Sequence, residues 1–440
     1  MTHASPQKPK GRWGNLLSIA FSMVVDGAEG SILPVLFPMM RQSLGLSLGS
    51  LGILSAATRA VGAISGPLWA FVAGLYNRKM VLIFVTGVWG LWTVAIGFTQ
   101  DFATLLAFSV IAAIGTAASA PIVTEIMGDL FSDEERGRAS GVLYGISSAF
   151  GIIFIPLFGQ LATLPEGWRL GFYIAGGMSV LSGILVWLGF KDPGRGAAEP
   201  ELADINAEKR ESVNLFKWSE VRELFRIPTF TLMLVSRLLS GHLLMISFGV
   251  VYMVDVFGFE NSQATLLFAP YVLSTVIGNF SGGWFSDRVN RRSPNAGRIL
   301  VYQLIQVSFA VFAFFGLQFD WGSLWGFAPF FVALGFLQGL GPGFTRPILI
   351  SVTLPEMRST AFALFVSVFE ALAWAIYNLL GGFLGEHFGL QPVFLAVLVV
   401  LMLVNALFIF TLYKPYPRDV EKVRETLAAR QNQLSAGSEA

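Results

Sequence analysis

The 440-residue sequence contains no cysteine and only three histidines, and charged side chains make up just 13% of it. Soluble proteins usually carry about 25% charged residues. Without cysteine, disulfide bonds and thiolate metal sites are excluded. The sequence also has no phosphate-binding glycine loop and no metal-ligand cluster among its histidines. An enzyme is therefore the least favoured class of function, and we expect no cofactor, no metal and no nucleic-acid partner.

Apolar residues are abundant instead: they form 54% of the chain, which includes 40 phenylalanines. They fall into twelve runs, each long enough to cross a hydrocarbon core of about 30 Å at about 1.5 Å per residue. We number these predicted spans TM1–TM12. They cover residues 14–40, 50–76, 79–99, 102–128, 139–163, 169–190, 229–256, 263–286, 297–318, 323–350, 359–383 and 390–413. The predicted fold is an all-α integral membrane protein with twelve transmembrane helices in two pseudo-symmetric six-helix bundles.

Polar segments divide the chain into five parts. A tail (1–13) precedes the first bundle (14–190), a charged loop (191–228) separates it from the second bundle (229–413), and a second tail (414–440) follows. If the N-terminus is cytoplasmic, 24 of the 29 Lys and Arg residues lie on the cytoplasmic side. Positive residues favour that side. We therefore predict a multi-pass protein of the cell membrane, monomeric in the lipid bilayer, with both termini cytoplasmic.

The loops between helices carry a repeated charged motif. After TM8 comes "GGWFSDRVNRR", with Gly283, Asp287-Arg288 and Arg291-Arg292, and after TM2 comes the shorter "AFVAGLYNRK". This pattern in both halves resembles the major facilitator superfamily, whose members are secondary transporters. The first copy departs from the family pattern, because Gly74 stands where the aspartate belongs.

These loop charges are candidates for a gate. We expect a short turn to place Asp287 at one helix end and Arg291 or Arg292 at another, where charge pairs latch one conformation. The predicted gating residues are Asp129, Arg138, Asp287, Arg288, Arg291 and Arg292, and Glu134 could also substitute for the missing first-half aspartate. Alternatively, the loop charges only enforce topology.

Two carboxylates, Asp26 and Glu29, stand in the apolar run of TM1 within "VVDGAEG". Residues three apart share a helix face, and Arg59 of TM2 is predicted at about the height of Glu29. We expect Glu29 to pair with Arg59, which leaves Asp26 to exchange a proton. In the alternative, Asp26 is hydrogen-bonded to a neighbouring helix backbone.

The second half carries its own intramembrane charges. Arg237 and Glu370 lie at similar predicted depths and could pair across TM7 and TM11. Arg346 follows the glycine- and proline-rich "LQGLGPGFTRP", which predicts a break in TM10 and a guanidinium suited to carboxylate capture. In the alternative, Arg346 only anchors the helix at the membrane surface. His242 is either a proton relay or a donor to a carbonyl.

The resemblance implies that TM1, TM4, TM7 and TM10 line a central cavity. Aromatic residues could wall it, although core packing is the alternative for most of them. The predicted proton-coupling residues are Asp26, Glu29, Glu125 and Glu370. The predicted substrate-binding residues are Arg59, Arg237, His242, Arg346, Tyr252, Trp374 and Tyr377.

The acidic TM1 is similar to the Spinster-like and organic-acid/proton symporter branches of the superfamily. Those branches usually show Asp-Arg in TM1, whereas Gly27 follows Asp26. The leading prediction is a proton-coupled transporter, by symport, of a small organic anion of carboxylate type. The alternatives are proton-driven efflux of amphiphilic or cationic drugs or lysolipids, and a non-transporting membrane receptor.

Overall fold

The computed structural model describes residues 11–131, 133–194, 218–294 and 296–438. Within these residues all regular structure is helical. Twelve helical segments are long and apolar enough to cross a membrane, which confirms the predicted fold class. Most of the predicted N-terminal tail and most of the central loop lie outside the described residues.

The first six spans begin close to the predicted positions, and polar side chains cap three of them. Ser47 forms a capping box with Ser50 before TM2, Asn77 caps TM3, and Asp101 caps TM4. Hydrogen bonds from Thr104 lower the pKa of the Asp101 carboxyl. The spans are TM1 Arg12–Leu44, TM2 Leu48–Leu75, TM3 Arg78–Ile96, TM4a Phe102–Thr116, TM4b Ser119–Leu130, TM5 Asp133–Gln160 and TM6 Gly167–Gly189.

The second six spans include two that are interrupted, TM7 and TM8. They are TM7a Pro228–Leu238, TM7b Leu243–Phe257, TM8a Asn261–Leu266, TM8b Phe268–Arg292, TM9 Gly297–Gln318, TM10 Leu324–Ser351, TM11 Thr360–Phe388 and TM12 Leu390–Leu412. A loop helix, Trp218–Leu224, precedes TM7a, and a C-terminal helix, Pro415–Ser438, follows TM12. This last helix lies wholly within the segment that the sequence predicted only as a tail (414–440).

The predicted break in TM10 is wrong. TM10 is one continuous helix although it contains Pro329, Pro342 and Pro347. Gly339 serves close packing, because a Cβ there would lie 2.1 Å from the Thr275 carbonyl oxygen of TM8b. TM7 is interrupted instead, between TM7a and TM7b. Three wider helical turns of π type also occur, in TM3 (Phe84–Val88), TM11 (Ala363–Phe369) and TM12 (Leu395–Val400).

The contacts divide the chain into two compact units. Unit 1 comprises Met1–Leu215, Ser247–Leu273 and Asn378–Leu390, and unit 2 comprises Phe216–Ile246, Ser274–Tyr377 and Gln391–Ala440. Unit 1 therefore contains most of TM7b, TM8a and the end of TM11 together with the first six spans. The predicted division into bundles at 14–190 and 229–413 stays a prediction.

Candidate functional site

Unit 2 contains an ion pair between Arg237 of TM7a and Glu370 of TM11. The Nη2 atom of Arg237 lies 2.9 Å from Oε2 of Glu370, and the two side chains are 14% and 32% exposed. The predicted pairing is thus confirmed. Arg237 stands in the last turn of TM7a, where a positive charge is favourable. Glu370 directly follows the π-type turn of TM11, and such turns are frequent at functional sites.

The helix interruption next to Arg237 is held by contacts within TM7 and with TM11 and TM12. The Tyr377 hydroxyl donates to the carbonyl of Leu238, which ends TM7a. Ser240 donates to the carbonyl of Ser236 at 2.9 Å. Gly241 permits close approach to TM12, since a Cβ there would lie 2.2 Å from the Val397 carbonyl oxygen. These contacts satisfy carbonyls that a continuous helix would bond internally.

His242 is at the interruption and is half-buried. Its ring packs edge-on against Phe309 of TM9, with 6.0 Å between ring centroids. Arg237 lies close enough to interact electrostatically with the ring. The predicted role of His242 as a proton relay stays a prediction.

Arg346 and Arg59 are both exposed side chains within membrane spans. Among the described residues, no carboxylate forms an ion pair with Arg346. Because TM10 is unbroken, free backbone groups no longer support an anion site there, but the exposed guanidinium remains. The predicted substrate-binding roles of both arginines stay predictions.

Asp26 and Glu29 lie inside unit 1 and contact different helices. The Asp26 carboxylate lies beside the Ser119 hydroxyl at the start of TM4b. The Glu29 carboxylate lies beside Thr93 of TM3 and Ser179 of TM6. The predicted Glu29–Arg59 pair is therefore wrong in this structure. TM1 packs chiefly against TM5 and TM6, whereas TM2 packs against TM4, so Glu29 faces hydroxyls instead of Arg59.

The polar groups around these carboxylates are incompletely hydrogen-bonded. The Glu29 Oε1 atom and the fully buried Ser119 hydroxyl make no hydrogen bond of normal geometry with the described residues. An arrangement of this kind, with hydroxyls and without a basic partner in the described part of unit 1, is suited to proton exchange.

The start of TM3 carries a buried arginine that the sequence analysis did not single out as a functional residue. Arg78 is only 3% exposed and binds Asp192 through Nε and Nη2, with a shortest distance of 2.6 Å. Its Nη1 atom contacts Glu125 at 3.3 Å and also bonds Asp129. Glu125 and Asp129 therefore both form ion pairs with the Arg78 guanidinium. The loop motif "YNRK" contained Arg78, but Asp192 lies 114 residues away and had no local signal.

The second-half loop motif is helical up to Arg292, so the turn predicted within it is wrong. Basic residues at a helix C-terminus favour this extension of TM8b. Asp287 is 70% exposed and pairs with Arg298 of TM9 at 3.5 Å, not with Arg291 or Arg292. Arg288 lies over the Trp284 ring, and Arg138 lies over the Trp13 ring. The gating roles of these residues stay predictions.

Two of the predicted aromatic wall residues are buried. Tyr252 has no exposed surface and packs edge-on against Phe257 at 5.7 Å. Tyr377 is 2% exposed, and its hydroxyl serves the TM7 interruption. Trp374 is half-buried. Core packing, the alternative for these side chains, describes Tyr252 and Tyr377 in this structure.

Comparisons with known proteins agree on one family. A sequence profile of the Major Facilitator Superfamily matches residues 19–328. The probable sulfoacetate transporter SauU of Cupriavidus necator is 27% identical over 266 residues, which are 59% of this chain and 61% of that protein. Protein spinster homolog 1 of Xenopus tropicalis is 26% identical over 348 residues, 75% of this chain and 65% of that protein. The match therefore spans less than two thirds of the length of each of these two relatives.

A solved structure gives the same fold. It is a bacterial homologue of the human lysosomal transporter Spinster, in an inward-facing and occupied conformation. It superimposes with a TM-score of 0.76 at 20% sequence identity, and the match covers 94% of this chain and 98% of that chain. At this identity the likeness establishes the fold alone.

Proposed function

From the premise that this chain belongs to the Major Facilitator Superfamily and is a multi-pass membrane transporter, we propose what it carries and how. It moves a small organic anion of the carboxylate type in symport with protons, by alternating access. The related probable sulfoacetate transporter supports this substrate class, because sulfoacetate carries a carboxylate and a sulfonate. We also propose that the chain works in the cell membrane as a monomer, with both termini cytoplasmic.

The observation that carries the proposal is the Arg237–Glu370 pair beside the TM7 interruption. The contact of Arg237 with Glu370 is made through Nη2, and the buried Nε atom of Arg237 has no hydrogen-bond partner among the described residues. A guanidinium presents its donors in a planar fork that fits a carboxylate. Arg237 can therefore bind an anion with donors that Glu370 does not use.

The same pair gives a physical reason for proton coupling. When Glu370 is ionised, it neutralises Arg237 and competes with the substrate anion. When Glu370 takes up a proton, Arg237 has no counter-charge, and the anion supplies one. The proton and the anion then bind together, which is the requirement for symport. Asp26 and Glu29 form a second proposed proton site, inside unit 1.

For alternating access, some contacts between helices within unit 1 must break and form again. Arg41 of TM1 bonds Asp255 of TM7b at 2.5 Å, and Glu386 of TM11 accepts a bond from the Gly49 amide of TM2 at 3.2 Å. By the predicted topology these contacts lie at the extracellular ends of the helices. We propose that they close that side, and that the loop charges Asp129, Arg138, Asp287, Arg288, Arg291 and Arg292 act on the opposite side.

A second candidate function is efflux of amphiphilic cations. It is favoured by Asp26 and Glu29, which lie among hydroxyls without a basic partner in the described part of unit 1. A cationic substrate would be attracted there. The choice of labelled compound in one exchange assay distinguishes the two candidates.

The test is exchange of radiolabelled sulfoacetate in proteoliposomes without a pH gradient. Arg237→Gln should lower exchange about tenfold or more, because a hydrogen bond to a charged group contributes about 1.5–3 kcal/mol. Exchange by the Arg237→Lys variant should also fall sharply, because lysine keeps the charge but lacks the planar fork of donors. Arg424→Gln is the control, because Arg424 is exposed on the C-terminal helix. Normal exchange by Arg237→Gln, or exchange of a labelled amphiphilic cation in place of the anion, would overturn the proposal.

A further inference from the structure

We propose that Asn405 of TM12 is a positioning residue for Arg237, and that it acts through the two serines that flank Arg237 on TM7. This inference deepens the proposed function, because it rests on Arg237 as the anion-binding group. Nothing in the sequence marks Asn405, which stands as a single amide in the apolar run "LMLVNALF".

The side chain of Asn405 forms hydrogen bonds with residues on both sides of Arg237 in the sequence. The Ser236 hydroxyl donates to Oδ1 of Asn405 at 2.8 Å, and Nδ2 of Asn405 donates to the Ser240 hydroxyl at 3.1 Å. Ser236 directly precedes Arg237, and Ser240 lies in the interruption that follows it. Asn405 and both serines have no exposed surface. The amide therefore ties the end of TM7a to the interruption.

The hydrogen-bond directions fix the orientation of the amide. The Ser240 hydroxyl donates its proton to the Ser236 carbonyl, so it can only accept from Asn405. The Ser236 hydroxyl also lies 3.2 Å from the Tyr302 hydroxyl of TM9. An asparagine amide offers one acceptor oxygen and one donor nitrogen on a short side chain, as the two serines require. Because the network is buried, each bond that is left unmade costs free energy.

The interruption explains why this network controls Arg237. The last carbonyls of a helix have no internal partners, and the end of TM7a is held by Asn405, Ser240 and Tyr377. Arg237 is in this last turn, next to the hydrogen-bonded Leu238 carbonyl. Without Asn405, the last turn loses its side-chain hydrogen bonds to TM12, and the guanidinium loses its fixed position opposite Glu370.

A matched control is available in the same part of unit 2. Gln303 of TM9 is another buried amide, 7% exposed. It donates to the Ala406 carbonyl at 2.7 Å and accepts from the Tyr413 hydroxyl at 3.2 Å. These bonds join TM9 to TM12 and to the residue that follows it, without TM7. Gln303→Ala therefore removes a comparable buried amide beside Asn405 but leaves the Ser236–Asn405–Ser240 link intact.

The first measurement is hydrogen–deuterium exchange of the full-length protein in detergent. Asn405→Ala should accelerate exchange of the amides at 237–243, and Ser240→Ala should do the same, while Ser240→Thr, which keeps the hydroxyl, should be close to wild type. Gln303→Ala should leave these amides protected. This readout needs no substrate, so it decides the inference even if Arg237 proves not to bind anions.

The second measurement is the KM for sulfoacetate in proteoliposome exchange. Asn405→Ala should raise KM roughly fivefold or more, within the range of coupling through packed networks, with a smaller change in maximal rate. When Arg237→Gln is already present, adding Asn405→Ala should cause no further rise in KM. Gln303→Ala alone should leave KM unchanged. Unchanged amide exchange at 237–243 in Asn405→Ala, or an equal KM shift in Gln303→Ala, would overturn the inference. An unaffected Arg237→Gln variant would overturn the proposed function instead.

Discussion

Arg78 forms ion pairs with three carboxylates in unit 1. Its guanidinium is 3% exposed and faces Glu125, Asp129 and Asp192, which come from TM4b and from the segment after TM6. A buried charge is tolerated when partners and hydrogen bonds compensate its desolvation. Arg78 therefore connects three parts of unit 1 at the start of TM3.

Arg78→Met should destabilise the protein by about 3–5 kcal/mol, because carboxylates arranged around one cation would lose it. The thermal midpoint of the detergent-solubilised protein measures this. Lys79→Met is the control, since Lys79 makes one exposed bond to the Trp187 carbonyl and should contribute about 1 kcal/mol or less. Equal shifts in the two variants would contradict a central role for Arg78.

Residue patterns predicted some contacts and not others. Counting 1.5 Å per residue along a helix gives the depth of a side chain, and this was enough to pair Arg237 with Glu370. The same counting failed for Glu29 and Arg59, because depth does not give the direction around the helix axis. The partners of Glu29, Thr93 and Ser179, are common small polar residues without a distinct sequence signal.

At the scale of helices, glycine and proline predicted the wrong interruption. TM10 accommodates three prolines within one helix, as membrane helices do when neighbouring groups satisfy the freed carbonyls. TM7 is interrupted where the sequence has a single glycine, Gly241, and where tertiary partners on TM11 and TM12 hold the ends. An interruption that depends on distant partners cannot be found from local composition.

TM2 and the end of TM11 meet in unit 1 through glycines. A Cβ on Gly52 would lie 2.5 Å from the Asn378 carbonyl oxygen and 3.2 Å from the Gly382 Cα atom. Helices in membranes associate closely where small residues let their backbones approach. Glycine is therefore required at position 52 because a larger residue would prevent this close packing, and not because of its backbone conformation.

Gly52→Ala should destabilise the protein by about 1–3 kcal/mol, the usual cost of overpacking. Gly177→Ala in TM6 is the matched control, because a Cβ there would have no atom within 4 Å. That control should be neutral or stabilising by up to about 1 kcal/mol, since alanine favours helix more than glycine. Thermal midpoints in detergent compare the two, and an unchanged Gly52→Ala midpoint would contradict the close packing.

At the scale of the molecule, apolar runs and loop charges predicted twelve spans and the family, because both signals are repeated along the chain. The C-terminal helix was not predicted. Few of its described side chains are buried, and Tyr416, at 1% exposure, is one of them. Asp419 accepts a 2.9 Å hydrogen bond from the Thr229 amide at the start of TM7a. A polar segment fixed by a few long-range contacts has no periodic signal strong enough to predict them.

In the proposed mechanism, Glu370 and the substrate anion compete for Arg237, so proton uptake and anion binding occur together. Glu370→Gln fixes that side chain in a neutral form. It should retain exchange of the anion across the membrane, which needs no net proton movement. It should lose accumulation against a gradient, because Glu370 can no longer take up and release a proton.

The most direct test is accumulation of radiolabelled sulfoacetate by wild-type proteoliposomes under an imposed pH gradient. We expect accumulation above the equilibrium level only when the side from which uptake occurs is more acidic, and we expect a protonophore to abolish that accumulation. Glu370→Gln, measured in parallel, should reach equilibrium and no further. Accumulation that is the same with and without the pH gradient would contradict proton-coupled anion transport.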